Sequence, residues 1–180
     1  VQRTYAIDQD AAKHFIASSF ASPHVRKFLM ISHVASRQTR PSWFSDEGWE
    51  RTLAMWKSRL PEYSKAKWAA DEYQTALAAV TKRTQPDRHF QSICLRPGTL
   101  TDEPPTGKVA LGRIQGVGSV SREEVAVVAD RLLARDDTEG WIDLVTGDEP
   151  VDQAVERVAR EQVDALQGED VEGMVKKYHL

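Results

Sequence analysis

Tyr63 and Lys67 stand four residues apart in a run of strong helix formers from Glu62 to about Thr81. At that spacing both side chains leave one face of a helix. The chemistry that uses a phenol and an ammonium together is proton transfer to or from a carbinol oxygen during hydride transfer. A free phenol titrates at about pH 10 and exchanges protons poorly near neutrality. A cation one turn away favours the phenolate, and the same ammonium can hydrogen-bond a ribose hydroxyl. A solvated helix face accounts for the pair equally well, so its setting along the chain decides its weight.

Three short apolar runs supply that setting. Lys27–His33 has a basic start and an apolar body too short for a helix, and it reads as a strand buried on both faces. Phe90–Leu95 is the second strand, closed by Arg96-Pro97-Gly98, and Trp141–Val145 is the third. In a doubly wound sheet, ligands bind beyond the carboxyl ends of the strands. The first strand ends in Ile31-Ser32-His33-Val34-Ala35-Ser36 and Arg96 to Thr99 close the second, so both groups fall at that end with Tyr63 and Lys67. A serine there either orients a substrate carbonyl or hydrogen-bonds within its own loop. Arg96 either contacts a phosphate or pairs with a carboxylate. His33 either faces the cleft and titrates near neutrality or sits on the surface. Cys94 is expected to pack within the sheet.

The remaining elements are legible from caps and periodicity. Asp8 precedes Ala11, Ala12, Phe15 and Ile16, one face of a helix that ends by Pro23. Trp43 and Phe44 are expected to pack over the domain. Ser45 caps a helix to about Leu60, with Trp49, Leu53 and Trp56 on one face. Ser121 and Glu124 form a capping-box signature for a helix through Val125, Val128 and Leu132. Pro150 suits the first turn of a helix with the stripe Val151, Ala154, Val155 and Val158. Thr99 to Gly118 reads as a long loop, and the tail over residues 169–180 as frayed. The alternating order predicts an α/β fold, a parallel sheet with helices on both faces, in one domain over residues 1–168. Three strands are few for such a sheet, which has about five or six, so the architecture reads as part of a larger one.

Composition narrows the function classes. In 180 residues, 41% hydrophobic and 28% charged, there is material for a real core. A net charge of -3 leaves no basic excess for phosphate backbones, so nucleic acid is not an expected partner. The single cysteine forms no internal disulfide, and scattered histidines with no i, i+4 pair give no metal site. No apolar run reaches the roughly 18–20 residues of a membrane span, and the start carries no apolar leader, so the expected location is cytoplasmic. Gly112, Gly116 and Gly118 do not match the spacing of a dinucleotide-binding turn, and no glycine precedes Gly48.

Serine near the end of one strand, Tyr63-Ser64-Lys65-Ala66-Lys67 on the next long helix, and Leu95-Arg96-Pro97-Gly98-Thr99 closing the next strand together resemble a short-chain dehydrogenase/reductase. Ala70-Asp71-Glu72-Tyr73 and Gly118-Ser119-Val120-Ser121-Arg122-Glu123-Glu124 are similar to its atypical branch, the NmrA-like and flavin-reductase-like NAD(P)-binding proteins. The resemblance spans nearly the whole chain but only the family's second half, so the first strands and Gly-rich turn of a Rossmann-like three-layer fold are missing from it. It implies an NAD(P)-dependent oxidoreductase that transfers hydride between NADP or NAD and a small carbonyl or alcohol substrate. It implies that Tyr63 is the proton donor, that Lys67 holds the nicotinamide ribose and lowers the phenol's pKa, and that Ser32 or Ser36 polarises the carbonyl. Lys67, Arg96, Pro97, Gly98 and Thr99 would line the cofactor. The family often has two serines where this chain has Ser32-His33. The other expectation is a truncated, non-catalytic relative acting as an interaction or regulatory domain. Its open sheet edge would be covered by a second copy or another protein.

Overall fold

A computed structural model of the chain describes residues 2–54 and 61–180. The first helical stretch is a turn, α1 (Gln2–Thr4), then a wider π-helical segment (Tyr5–Ala11), then α2 (Ala12–Ala21). Strand β1 (Lys27–Ile31) follows, then α3 (Asp46–Ala54), the long α4 (Pro61–Thr84) and β2 (Gln91–Pro97). Next come β3 (Thr99–Thr101), β4 (Lys108–Gly112), β5 (Ser119–Ser121) and α5 (Arg122–Leu133). The chain closes with β6 (Gly140–Thr146), β7 (Glu149–Pro150), α6 (Val151–Arg160) and α7 (Val171–Lys177).

The three apolar runs become neighbouring parallel strands, with Leu29 opposite Ile93 and Leu95 opposite Ile142. β4 joins β6 antiparallel, β7 extends β4, and the sheet order is β1-β2-β6-β4-β7. Alternate residues of the central strands feed two cores, because successive side chains of a strand point to opposite faces. Ile93, Leu95, Ile142 and Leu144 pack against Val125, Val128 and Leu132 of α5 and Val155 and Val158 of α6. Cys94 and Trp141 pack on the other face against Ile16 and Phe20 of α2, Trp68, Ala70 and Ala76 of α4, and Met174 and Val175 of α7. The chain is therefore a three-layer α/β fold with a mostly parallel central sheet.

Two expectations change. The segment from Thr99 to Gly118 is not a single loop: β3 pairs β5, and β4 returns antiparallel along β6. Residues after Gly168 do not fray, since α7 lays Met174 and Val175 into the core and the Tyr178 hydroxyl donates to the Ala69 carbonyl at 3.0 Å. The helix capped by Ser45 is present, its hydroxyl accepting from the Gly48 amide at 3.0 Å, while its expected course through Trp56 to Leu60 lies outside the described residues.

The capping box at α5 is half realised. Ser121 Oγ accepts from the Glu124 amide at 3.0 Å. The Glu124 carboxylate, rather than reaching back to Ser121, accepts from the amides of Thr106 and Gly107. It pins the turn that leads into β4, a tertiary use of a local signal. Phe44 is buried and Trp43 half-buried beside the Arg37 guanidinium, so both aromatics pack over the domain.

Candidate functional site

The carboxyl ends of β1 and β2 meet the first turns of α4. Pro61 opens α4 with the fixed φ that a first turn accepts, and the 3.6-residue period puts Tyr63, Lys67 and Asp71 on the face turned to the sheet. Lys67 is buried, and its Nζ donates to the Ile31 carbonyl at 2.7 Å, at the last residue of β1. Of its three donors this bond uses one. Tyr63 is half-buried, its ring edge-on to His33 with centroids 6.4 Å apart.

Ser32 follows β1 directly. Its amide donates to the Leu95 carbonyl at 2.7 Å, extending the ladder, and its hydroxyl donates to Asp71 Oδ2 at 2.6 Å. Ser36 is buried near Asp71 close enough to favour the charged carboxylate, but its Oγ has no hydrogen bond of good geometry among the described residues. Arg96 does not reach a ligand surface. It is fully enclosed, with Nε on Asp143 Oδ1 at 2.8 Å, Nη1 on Asp71 Oδ2 at 3.2 Å, and Nη2 on the carbonyls of Val34 and Ser36. Its guanidinium also covers the Trp141 ring at 3.9 Å. Of the two roles open for Arg96, the carboxylate pairing is the one realised, and the expected part in cofactor binding is not, because its guanidinium is turned wholly to partners inside the fold. Pro97 and Gly98 are buried and Thr99 exposed where β2 ends. Val34 donates to the Pro97 carbonyl, and Gly98 donates to that of Leu144. A Cβ on Gly98 would lie 2.4 Å from the Gly118 carbonyl oxygen, so the close backbone approach demands glycine.

Beneath these groups lies a buried ionic network that no local pattern in the sequence assembles. Arg37 Nη2 donates to the Ala165 carbonyl at 2.6 Å and contacts Asp143 Oδ2 at 3.3 Å, with Glu169 beyond Nη1. Arg37, Arg96, Asp71 and Asp143 have side chains shielded from solvent. Burial lowers the Arg96 pKa, but Asp143 and Asp71 outweigh it and hold the guanidinium charged. Burial raises the Asp71 carboxyl, opposed by Arg96, Lys67 and the two serine hydroxyls. A sequence signal existed for part of this: Asp71 stands at i+4 from Lys67, and Asp143 is a lone charge inside an otherwise apolar strand. Arg37 carried no local sign of its burial.

The electrostatics also revise the phenol. Burial first, then Asp8 and Asp71, push Tyr63 up to about 12. The resemblance implies a phenol lowered by Lys67; here the ammonium bonds the Ile31 carbonyl, and burial with two carboxylates sets the direction. His33 is neither on the surface nor titrating near neutrality. It is half-buried, and burial with the cations Arg96 and Lys67 pushes it down to about 4. Cys94 is buried beside Asp71, its thiol pushed well up, which makes it an inert packing residue. Among the described residues no cluster of His, Cys, Asp and Glu could hold a metal, and no described helix is long and apolar enough to cross a membrane.

This architecture is a Rossmann-like three-layer α/β fold, and solved structures share it. The chain superimposes with a TM-score of 0.63 on a structure from Bacillus halodurans described as an NAD-dependent epimerase/dehydratase, at 23% identity over 87% of this chain and 62% of the other. An oxidoreductase from Lactococcus lactis matches with a TM-score of 0.63 at 22% identity, over 86% of this chain and 61% of that one. In sequence the chain is 27% identical to an uncharacterized sugar epimerase of Bacillus subtilis over 87% of its own length and 61% of the relative's. It is 29% identical to a UPF0659 protein of Schizosaccharomyces pombe over 86% of its length and 60% of the relative's. No family model matches. The chain thus resembles an uncharacterized sugar epimerase in sequence and an epimerase/dehydratase and an oxidoreductase in fold, and it spans about three fifths of the length of the curated relatives it matches.

Proposed function

We propose that the chain carries the substrate half of an NAD(P)-dependent oxidoreductase of the atypical short-chain type, acting on a small carbonyl or alcohol. The observation that carries this reading is the meeting of Tyr63, Lys67 and the segment Ser32–Ser36 at the carboxyl ends of β1 and β2, where an α/β sheet binds its ligands. At neutral pH Tyr63 carries its proton, the state a general acid starts from, and in carbonyl reduction it completes the alcohol. Burial that pushes the phenol up to about 12 also makes it a weaker acid than a free one.

The residues present fit the nicotinamide end of a dinucleotide. Lys67 has two donors beyond the one on Ile31 for ribose hydroxyls, and Pro97, Gly98 and Thr99 stand at the end of the neighbouring strand β2. Arg96 does not fit that role. The dinucleotide, when bound, supplies the hydride. What this chain supplies is the position of the carbonyl, the exclusion of water by the half-buried Tyr63 and His33, and the proton.

The experiment is a calorimetric titration of the purified chain with NADPH and with NADH, followed by turnover of Tyr63→Phe. Micromolar binding and a loss of about 10²- to 10⁴-fold in turnover, with cofactor affinity kept, are the expected results. No heat at millimolar cofactor removes the reading for this chain, and undiminished turnover in the variant removes Tyr63 as the acid.

One observation favours a second reading, an interaction domain. β1 is an edge strand with no neighbour on its outer side among the described residues, and Ile31 at its end is 39% exposed. Such an edge is a template for another strand. On this reading a second copy or a partner chain adds to β1. Sedimentation velocity distinguishes the two, because a stable compact monomer speaks against it.

A further inference from the structure

The reduction of a carbonyl needs two hydrogen-bonding roles at one oxygen, a proton donor and a group that polarises the carbon–oxygen bond. The serines are poorly placed for the second. The Ser32 hydroxyl proton is committed to Asp71 Oδ2 at 2.6 Å, so toward any other group Ser32 is only an acceptor. Ser36 is 2% exposed, its carbonyl held by Arg96 Nη2 and its side chain enclosed under the same guanidinium network.

His33 sits between them in sequence and differs in each respect. Its Nδ1 accepts a hydrogen bond from the Ala35 amide at 3.1 Å. An acceptor nitrogen carries no proton, so the neutral ring must bear its hydrogen on Nε2. Burial and the nearby cations Arg96 and Lys67 keep the ring neutral, pushing its pKa to about 4. Nε2 makes no hydrogen bond to any described residue, and the ring is only half-buried, edge-on to Tyr63 at 6.4 Å. A fixed tautomer, an N–H without a partner among the described residues and a phenol ring alongside give two donor groups at the end of β1.

We propose that His33 Nε2–H, rather than a serine hydroxyl, is the hydrogen-bond donor that binds and polarises the carbonyl oxygen of a ketone or aldehyde substrate. This assignment rests on the oxidoreductase reading for its role in turnover, but the carbonyl contact itself does not depend on hydride transfer. A neutral imidazole suits the task because it leaves the proton transfer to Tyr63. A charged one would give up its own proton and would add a third cation beside Lys67 and Arg96.

The test uses the full chain and cyclohexanone labelled with ¹³C at the carbonyl as the probe. The bound carbonyl resonance should move downfield, and the His33 Nε2–H signal should move with it. His33→Phe keeps the ring against Tyr63 and removes the donor. It should abolish the carbonyl shift and weaken the probe about three- to tenfold, the measure of one neutral hydrogen bond. His33→Gln restores an N–H donor and should restore the shift, which a purely structural role for the ring would not do. An unchanged carbonyl shift in His33→Phe overturns the assignment. So does a His33 Nε2–H signal that ignores the probe at about 50 mM, the weak-binding range expected of a fragment. Failure of the oxidoreductase reading looks different: the chain gives no heat with NADPH or NADH at millimolar cofactor while the His33-dependent carbonyl shift stays.

Discussion

Replacing Arg96 by methionine removes one cation from a site where nothing can take its place. Arg96 is fully buried and bridges Asp143 and Asp71 while satisfying the carbonyls of Val34 and Ser36. Methionine keeps much of the volume over Trp141, so the loss is electrostatic rather than a cavity. Asp143 retains Arg37 at 3.3 Å, and Asp71 retains the Ser32 hydroxyl. Breaking a buried pair by removing one partner costs about 3–5 kcal/mol, a large share of the roughly 5–15 kcal/mol that holds a domain folded. The cost depends on pH in a defined direction. Burial already raises the Asp71 carboxyl against the pull of Arg96, so without Arg96 it rises further. Between the unfolded carboxylate value, about 3.9, and the raised native one, the folded chain holds a proton that the unfolded chain has released. Stability then falls as pH rises, by about 1.4 kcal/mol for each step of one in pH within that interval. Urea denaturation followed by circular dichroism at pH 5.5 and pH 8 measures both. The expected result is a loss of about 4 kcal/mol at pH 8 and a smaller one at pH 5.5. A loss under about 1 kcal/mol, or one equal at both pH values, refutes the reasoning, since one neutral hydrogen bond alone is worth that much.

Two further predictions concern the frame around the site. Gly98→Ala drives a Cβ to 2.4 Å from the Gly118 carbonyl oxygen and 2.8 Å from Val145 Cγ1, and because the first obstacle is backbone it should destabilise the fold by about 1–3 kcal/mol in thermal or urea melts. A melt unchanged from the parent would mean that the β2 and β5 ends separate freely. Glu124→Gln replaces the buried carboxylate that accepts from the Thr106 and Gly107 amides, and it should cost about 1–3 kcal/mol and speed hydrogen exchange at those two amides first. Uniform exchange across α5 and β4 would argue against the pinning role.

How far the site was legible depended on the range of the interactions involved. The Tyr63–Lys67 pair, the strand ends at Ser32 and Pro97, and the Ser121 cap are local, and each is written within a few residues by period, apolar run or cap type. The strands β3, β4 and β5 were not legible because β3 and β5 are three residues long, and β4 holds its place by pairing with β6 and β7, which arrive later in the chain. The docking of α7 likewise rests on contacts with α4 across about a hundred residues of chain.

The same division runs through the chemistry. Residue type and helical spacing by themselves determined that a phenol, an ammonium and a set of hydroxyls would gather at one end of an α/β sheet. Only the tertiary structure decided what each could do there. Arg96 became an internal strut because Asp71 and Asp143 arrive from α4 and β6 to meet it. Tyr63 keeps its proton because it is buried and because Asp8, from an element remote in sequence, and Asp71 close in on it. His33 is a neutral donor because the backbone folds the Ala35 amide onto Nδ1 while Arg96 and Lys67 approach from another strand and a helix. Protonation and hydrogen-bond direction are set by burial and by charges within several ångströms, and those distances exist only once the chain has folded.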